Sequence, residues 1–277
     1  MKIIKSLSIL TLLVGSTLFI EGYRENRQLE KEFFTIKSSK IKQSNQKIRI
    51  AHLSDTQFPR LRVPTKKLLA AISNEKPDVI FFTGDTIDRT EQLDDSNLRF
   101  FLDQLTKIAP TFIVTGNHEE TNTEYQKWLD IVKQSKAVLL ENDFVETTIN
   151  QQTINIVGLS NRKTKLSNNK AAQLNTELET FILAHHPEDI ESYIQHFDKM
   201  NVSVFSGHAH GGQIILPGLG GLYSPDQGFL PQYTDGHYEF DNNKHLFVSR
   251  GLANSSFPSR INNYPHLIFV DIENKTN

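Results

Sequence analysis

Residues 78–88 read DVIFFTGDTID, an apolar run that ends abruptly in a glycine and a carboxylate. The four consecutive apolar residues 79–82 predict a buried strand. Gly84 and Asp85 follow at its carboxyl end, which is where ligands bind in open α/β sheets. Taken alone, the pattern is also typical of a turn in which the aspartate caps a helix, so its meaning depends on the rest of the chain.

Four other stretches have the same form, an apolar strand that ends in polar residues. They are SDTQF (54–58), IVTGNHEE (113–120), ILAHHPED (182–189) and FSGHAHGGQI (205–214). GNH alone would fit a turn, since Asn tolerates left-handed backbone, and HH alone would fit a packing pair. GHAHGG is more specific, because its two histidines leave one loop and its glycines let the backbone approach a metal or an anion. Together the five stretches predict one site.

Strand-like and helix-like segments alternate from Lys47 onward. The predicted strands are KIRIAHL, DVIFFTG, TFIVTG, AVLLEN, INIVGL, ETFILAH, VSVFSG, HLFVSR and HLIFVDI. The predicted helices are PTKKLLAAISNE, NLRFFLDQLTKI, with Asn97 as a possible cap, and EYQKWLDIVKQS. Early alternation of strands and helices, followed by strand-rich sequence, predicts a layered α/β domain with more than one sheet over residues 46–273.

The composition of the chain excludes several classes of protein. It has 277 residues, with 30 Lys and Arg against 32 Asp and Glu, and a net charge of -2. That balance gives no electrostatic reason to expect general nucleic-acid binding. The absence of cysteine excludes disulfides, thiolate catalysis and cysteine-based zinc sites.

The N-terminus has the pattern of a targeting segment. Lys2 and Lys5 precede the uncharged run SLSILTLLVGSTLFI, residues 6–20. We expect a signal-anchor or signal peptide over residues 1–23, and favour the uncleaved anchor because no small-residue cleavage site follows; a buried helix of a cytosolic protein is the remaining alternative. The lysines predict that the rest of the chain lies outside the cytoplasmic membrane, or is secreted if the segment is cleaved. Residues 24–45 then form a polar tether with one edge strand, EFFTIKSSKI.

The polar strand ends supply neutral imidazoles, carboxylates and amides, a ligand set that suits Mn²⁺, Fe, Zn²⁺ or Mg²⁺. The residues concerned are Asp55, Gln57, Asp85, Asp88, Asn117, His118, Glu119, His185, His186, His208 and His210.

In their order along the chain, these motifs resemble the calcineurin-like metallophosphoesterase superfamily. Its pattern, D-x-H, G-D-x-x-D, G-N-H-[DE], a lone His and G-H-x-H, corresponds here to residues 55–57, 84–88, 116–119, 185 and 207–210. The GGQI that follows, together with residues 245–272, is similar to the membrane-associated bacterial YkuE/YaeI-like branch. The resemblance implies an α/β, metallophosphoesterase-type layered sandwich, two β-sheets flanked by helices, preceded by an N-terminal hydrophobic anchor.

The resemblance also implies a site with two divalent metal ions, Mn²⁺ being favoured. Asp85 would bridge the ions, with Asp55, residue 57 and His210 completing the first site. Asn117, His185 and His208 would complete the second. His118 would be the general acid, oriented by Asp88, while His186 and Arg250 are candidate substrate contacts. Gln57 departs from the family's histidine. Because an amide oxygen is a harder and less basic ligand than imidazole, we expect a weaker first site that prefers Mn²⁺ or Mg²⁺ to Zn²⁺ or Fe.

The function implied is hydrolysis of phosphodiester or pyrophosphate bonds outside the cytoplasmic membrane, on a phosphorylated small molecule or a lipid-linked or cell-envelope substrate. Two alternatives stay open at this point. One is a catalytically weak binding protein that kept the fold, with Gln57 as the first sign of decay; the other is a metallonuclease, against which the charge balance counts. Retention of the other polar residues argues against decay, because buried polar groups without a use are costly.

Overall fold

Two six-stranded mixed sheets pack face to face, with helices on their outer surfaces, in the computed structural model of the chain, which describes residues 15–17, 19–42, 47–197, 200–254 and 259–275. The helices are α1 (Thr65–Asn74), α2 (Asp95–Ile108), α3 (Asn117–Thr121), α4 (Tyr125–Gln134), α5 (Asn168–Ala171) and α6 (Ile190–Ile194). The predicted α/β sandwich of two sheets is therefore confirmed.

The first sheet has the strand order β1-β16-β2-β3-β4-β5. Its strands are β1 (Glu30–Ser38), β2 (Lys47–Leu53), β3 (Val79–Thr83), β4 (Thr111–Val114), β5 (Val138–Leu139) and β16 (His266–Asn274). Strands β2 to β5 are parallel, so their carboxyl ends share one edge of the sheet.

The second sheet has the order β14-β15-β9-β8-β7-β6, in which β15, β9, β8 and β7 are parallel. Its strands are β6 (Asp143–Ile149), β7 (Gln152–Gly158), β8 (Glu179–Leu183), β9 (Val202–Ser206), β14 (Gly236–Phe240) and β15 (Lys244–Val248). Between β9 and β14 the chain forms two short hairpins, β10 (Ile215–Leu216) with β11 (Gly220–Gly221), and β12 (Tyr223–Ser224) with β13 (Gly228–Phe229).

Alternation of side chains along the central strands builds the layers. In β3, Val79 and Phe81 face the core between the two sheets, whereas Ile80 and Phe82 face the core under the helices. Because successive strand residues point to opposite faces, a strand covered on both sides reads as an unbroken apolar run. This is the physical reason why residues 79–82 carry no polar residue.

All nine predicted strands and all three predicted helices are present. The suggested cap was wrong: α2 begins at Asp95 and is capped by Asp94, whose side chain accepts a hydrogen bond from the backbone N–H of Asn97. Strands β6 and β14 and the two short hairpins were not predicted. The hairpin strands have two residues each, which is too short to show a periodicity.

Strand β1 lies inside the segment 24–45 and pairs in parallel with β16 at the edge of the first sheet. The expected anchor falls mainly on residues 1–14, which lie outside the described residues, while residues 15–17 and 19–25 are helical. No helix within the described ranges combines the length and apolarity needed to span a bilayer.

Candidate metal centre

The loops that follow β2 and β3 are joined by backbone hydrogen bonds. The N–H of Asp55 donates to the carbonyl of Gly84 at 3.1 Å, and the N–H of Gln57 donates to the carbonyl of Asp85 at 2.9 Å. Because the two strands are parallel neighbours, this pairing extends past the end of the sheet. It places the side chains of Asp55, Gln57 and Asp85 at the same edge.

Five candidate ligands have left-handed backbone. Asp55, Gln57, Asp85, His208 and His210 have φ between 42° and 65°. Such conformations cost residues other than glycine on the order of 1–3 kcal/mol each and concentrate at functional sites. Five of the seven predicted metal ligands have this strained conformation, which supports a functional site at this place.

The first group of candidate ligands is fully buried and poorly satisfied. Nε2 of His210 lies 3.3 Å from Oδ1 of Asp55 and 3.2 Å from the amide nitrogen of Gln57. The Oδ1 atom of Asp55 and the Oε1 atom of Gln57 are buried, and neither has a hydrogen-bond partner within the described part of the chain. Burial raises the pKa of Asp55 to about 7 and lowers that of His210 well below its usual range. A cation between these side chains would pair the orphaned oxygens and favour the ionised carboxylate.

The second group surrounds Asp85. Its Oδ2 atom lies 3.4 Å from Nε2 of His185, which is itself 3.2 Å from Oδ1 of Asn117. Ligand atoms of Asp85, His185 and His208 all lie within 4.8 Å of one another. Burial alone would lower the pKa of His185, but the carboxylate of Asp85 outweighs it and raises that pKa to about 10. The carboxylate of Asp85 thus attracts positive charge to this place, as a proton or as a metal.

Two of the imidazoles are each oriented by a hydrogen bond at one ring nitrogen. Nδ1 of His185 lies 2.7 Å from the carbonyl oxygen of Thr83, and Nε2 of His208 lies 2.9 Å from Oδ2 of Asp226. Since a carbonyl or a carboxylate can only accept, each ring in its neutral form has its proton there and can offer the lone pair of its other nitrogen to a metal. This is the usual arrangement around a metal-ligating histidine. Asp226 was not singled out from the sequence, because it lies in a hairpin turn that carries no motif.

A buried carboxylate holds the loop of Asp85 in place. Glu119, the last residue of the GNHE motif, accepts hydrogen bonds from the backbone N–H groups of Gly116, Asp85 and Thr86. It also accepts one from the hydroxyl of Thr86 at 2.7 Å. Glu119 therefore fixes the two loops that follow β3 and β4 relative to each other, a role that the motif alone does not disclose.

His118 lies next to the second group, at the start of α3. Its Nε2 is 3.6 Å from Oδ2 of Asp85, and its Nδ1 accepts a hydrogen bond from the backbone N–H of Arg89 at 3.2 Å. Because Nδ1 accepts, the neutral ring carries its proton on Nε2. Asp88 is 3.7 Å from Nδ1, beyond hydrogen-bond distance, and is paired with Arg60 at 3.1 Å. In this structure the backbone of Arg89, rather than Asp88, orients the ring; the acid role of His118 and the orienting role of Asp88 remain predictions.

A pocket of about 260 Å³ adjoins His118 and is lined by Arg60, Asp88, Arg89 and Thr90. The guanidinium of Arg89 lies 3.0 Å from Nε2 of His118. The structure thus brings two arginines to the site, each in a loop that also carries a candidate ligand.

The two candidate substrate contacts are placed differently. His186 is buried beside His208, with ring centroids 4.2 Å apart, and contacts Glu188 and Asn161. Ligand atoms of His186, Glu188, His208 and Asp226 also lie within 4.8 Å of one another, so this group extends the second one. Arg250, in contrast, is paired with Glu30 at 2.6 Å and Asp235 at 3.3 Å. Since two carboxylates engage it, the structure gives no support to its contact with phosphate.

Close packing around the carboxylates requires glycine at two motif positions. A Cβ atom on Gly116 would lie 2.2 Å from Oδ1 of Asp85, and one on Gly207 would lie 2.4 Å from Oδ2 of Asp55. Real Cβ atoms do not approach that closely. These glycines therefore let the backbone reach the carboxylates, as a compact ligand cage requires. Together with the orphaned oxygens, they indicate that the residues fit divalent ions.

A family model described as calcineurin-like phosphoesterase matches residues 48–212. The chain is 26% identical to the uncharacterized metallophosphoesterase YkoQ of Bacillus subtilis over 95% of this chain and 97% of that one. It is 25% identical to the phosphodiesterase YaeI of Escherichia coli over 81% and 82% of the two chains. It is 27% identical to the UDP-2,3-diacylglucosamine pyrophosphatase LpxG of Chlamydia muridarum over 74% and 78%. The resemblance drawn from the motifs is confirmed.

Proposed function

Because the chain belongs to the calcineurin-like phosphoesterase family, we propose that it is a two-metal hydrolase of phosphodiester or pyrophosphate bonds. The observation that carries the proposal is the burial, at one edge of the sheets, of Asp55 and Asp85 together with amide and imidazole groups. Among the described residues, neither Oδ1 of Asp55 nor Oε1 of Gln57 has a hydrogen-bond partner. One ion would be held by Asp55, Gln57, Asp85 and His210, and the other by Asp85, Asn117, His185 and His208.

When bound, two divalent ions supply positive charge against the phosphoryl oxygens and lower the pKa of a water that serves as nucleophile. Other residues of the chain keep the candidate ligands in position. Glu119 positions the loop of Asp85, while Thr83 and Asp226 orient the rings of His185 and His208. Because these supports are buried or hydrogen-bonded, the site needs little rearrangement before it reacts.

His118 provides the proton for the leaving group. Burial lowers the pKa of His118 in the free protein, but a phosphate oxygen beside the ring would raise it, since an anion stabilises imidazolium. In the neutral ring, the Nε2 atom of His118 carries a proton, so it cannot accept a hydrogen bond from the guanidinium of Arg89. Arg89 can therefore leave His118 for a phosphate oxygen at little cost, which makes it the preferred substrate arginine.

The substrate is a phosphodiester or a pyrophosphate, including lipid-linked forms in the cell envelope. The names of YaeI and LpxG, a phosphodiesterase and a pyrophosphatase of a diacylated sugar nucleotide, support this class. The charged start and apolar run of residues 1–20 support a single N-terminal membrane anchor with the catalytic domain outside. The net charge of -2 makes nucleic acid a poor general substrate.

The test is metal analysis combined with turnover. The full chain, freed of metal and reloaded with Mn²⁺, Zn²⁺, Mg²⁺ or Fe²⁺, is assayed on bis(p-nitrophenyl) phosphate, on p-nitrophenyl phosphate and on a UDP-linked diacylated sugar. We expect two metals per chain, Mn²⁺-dependent turnover, and a preference for the diester over the monoester. Asp85→Asn should abolish both metal uptake and turnover, whereas Asp130→Asn, a change on the exposed side of α4, should alter neither.

Failure would take one recognisable form. If millimolar Mn²⁺ neither binds at this centre nor supports turnover, the protein is a phosphoesterase-fold binding protein and the hydrolase proposal is wrong.

A further inference from the structure

The exposed apolar side chains of the protein are concentrated in two places. Seven of the ten large apolar residues that are exposed within the described ranges lie in the helical residues 19–25 or in the hairpin segment 214–231. They are Phe19, Ile20 and Tyr23 in the helix, and Leu219, Tyr223, Phe229 and Leu230 in the hairpin segment. Isolated exposed apolar residues need no explanation, but a concentration of them marks an interaction surface.

The hairpin segment supports the candidate metal centre through one residue, Asp226. Its second hairpin pairs Tyr223 with Phe229, and the turn between them carries Asp226, which accepts the hydrogen bond from His208. Phe229 is 77% exposed and Leu230 61% exposed, although they follow Asp226 by only three and four residues. At no more than about 3.6 Å per residue, these side chains start within roughly 15 Å of the carboxylate that supports the metal ligand.

The N-terminal helix approaches the same loop from another direction. Gly22 packs against Ser259 and Arg260, and Glu25 accepts a hydrogen bond from the N–H of Asn263 at 3.3 Å. The amide of Asn263 in turn donates to the carbonyl oxygen of His210 at 2.8 Å. The helix is therefore connected to a candidate metal ligand through one intervening residue, Asn263.

The loop 259–263 also connects the helix to the hairpins. Ile261 pairs with Ile214 in a β-bridge, and its carbonyl accepts the N–H of Ile215 at 3.0 Å. Leu219 lies in the turn that closes the hairpin begun by Ile215. The two apolar elements are thus attached to one short stretch of chain, so both flank the GHAHGG loop.

We propose that the helix 19–25 and the hairpin segment 214–231 form one membrane-contacting surface, which holds the metal centre at the boundary between bilayer and water. The bilayer is the occupant because the apolar run of residues 6–20 leads directly into this helix. The surface also carries residue types that favour membrane interfaces: Tyr23 and Tyr223 are exposed, and the guanidinium of Arg27 lies 4.0 Å from the ring centroid of Tyr23.

This inference rests on the proposed function and narrows its substrate class. A hydrolase whose metal centre lies at the bilayer surface is suited to a phosphodiester or pyrophosphate that stays attached to lipid. Leu219, Phe229 and Leu230 would then enter the interface beside the acyl chains, while the phosphate group reaches the site from the polar side.

The lack of cysteine in the chain makes a direct test possible. Leu219→Cys and Leu230→Cys are labelled separately with an environment-sensitive fluorophore, and the full chain is reconstituted into phosphatidylethanolamine–phosphatidylglycerol vesicles. Phe100→Cys is the matched control. Phe100 is 43% exposed on α2, a helix that belongs to neither of the two apolar elements. We expect a blue-shifted emission and quenching by lipids brominated on their acyl chains at positions 219 and 230, and neither effect at position 100.

Equal, water-like emission at all three positions would overturn the proposal. A blue shift that is already present without vesicles and depends on protein concentration would also overturn it, since it would indicate a second copy of the chain as the occupant.

A second measurement separates this proposal from the proposed function. The double variant Phe229→Ser/Leu230→Ser should lose at least about tenfold in turnover of a lipid-linked pyrophosphate in vesicles, while its turnover of water-soluble bis(p-nitrophenyl) phosphate stays unchanged. An equal loss on both substrates would contradict the surface. Lipid quenching at positions 219 and 230 in a protein that hydrolyses neither substrate would support the surface and refute the hydrolase.

Discussion

The side chains of Gln57 and His210 meet at the proposed first metal position, where their Nε2 atoms lie 3.2 Å apart. With the amide in this orientation, its oxygen is buried and has no hydrogen-bond partner among the residues that the structure describes. Rotation of the amide by half a turn exchanges the two atoms and brings the oxygen to His210, and the two orientations are hard to distinguish from shape alone. Gln57 can thus offer a carbonyl oxygen to an ion that the family pattern binds through imidazole.

Because an amide oxygen is the weaker ligand, the two metal positions should differ in affinity. We expect one ion to remain through dialysis and the other to be lost and then restored by added Mn²⁺, with activity following the weaker binding curve. Gln57→His should tighten the weaker position by at least about tenfold, or about 1.4 kcal/mol. Calorimetric titration of the metal-free protein with Mn²⁺ measures both affinities.

Gln126→His, on the exposed side of α4, is the control for a gained imidazole and should leave both affinities unchanged. Two equally tight ions in the unaltered protein would show that Gln57 does not tune the centre.

Asp226→Asn tests the support of His208. An amide in place of the carboxylate accepts the hydrogen bond from Nε2 less strongly, so the ring becomes a poorer and less well oriented ligand. We expect metal affinity at the second position to fall by roughly 10–100-fold, with turnover near normal once metal is saturating. A misfolded variant would lose metal affinity and turnover together. A loss of metal affinity alone therefore identifies the support of His208.

Two controls accompany that variant. Asp241→Asn removes an exposed carboxylate elsewhere and should change nothing. Arg162→Ala removes the guanidinium that lies 2.7 Å from Oδ2 of Asp226, and should leave metal affinity within about threefold, because the bond to His208 persists. If Arg162→Ala weakened metal binding as much as Asp226→Asn does, the effect of Asp226 on metal binding would depend on its ion pair with Arg162.

His118→Asn should reduce turnover by roughly 10²–10⁴-fold, the usual contribution of a general acid. Its metal content should barely change, because the predicted ligands are other residues. The loss should be smaller for p-nitrophenyl esters than for alkyl esters, since a nitrophenolate leaves without a proton. The comparison is made by steady-state kinetics on both esters, with His196→Asn, an exposed histidine, as the control.

Glu179 makes the stability of the protein depend on pH at a place remote from the metal centre. Burial raises the pKa of Glu179 to about 7, against the hydrogen bonds from Ser38 and Asn201 that lower it. A carboxyl group with a raised pKa in the folded state contributes stability below its unfolded pKa of about 4.5, and this is lost as the pH rises through about 7. At pH 8 the buried charge should therefore cost on the order of 2–3 kcal/mol.

Glu179→Gln removes that charge, so we expect it to be more stable than the unaltered protein at pH 8 and nearly equal to it at pH 5. Urea unfolding at the two pH values measures the difference. Glu177→Gln, at an exposed carboxylate two residues away, should show no such dependence. A stability difference that is the same at both pH values would mean that Glu179 is charged throughout.

Much of the candidate metal centre follows from local sequence, because each predicted ligand stands at or near the carboxyl end of a strand. The end of β3 carries Asp85, the end of β8 leads to His185, and the end of β9 leads to the loop of His208 and His210. Parallel strands that are neighbours in one sheet bring such ends together. Strand β3 belongs to the first sheet and β8 and β9 to the second, so the meeting of these three ends also depends on how the two sheets pack. The layered fold was predictable because strands that are covered on both faces are apolar throughout.

Other features depend on contacts between residues far apart in sequence, which no local pattern encodes. Asp226 reaches His208 only because the hairpin folds back over the GHAHGG loop, and Asn263 reaches His210 only because Ile261 pairs with Ile214. Arg250 follows a strand as a phosphate-binding arginine would, yet Glu30 and Asp235 engage it from elsewhere in the chain. The sequence by itself determined which residue types stand at the strand ends. The tertiary structure alone decided which of them are supported, which are engaged elsewhere, and that two apolar segments some 200 residues apart flank the same loop, because these outcomes depend on the packing of distant segments.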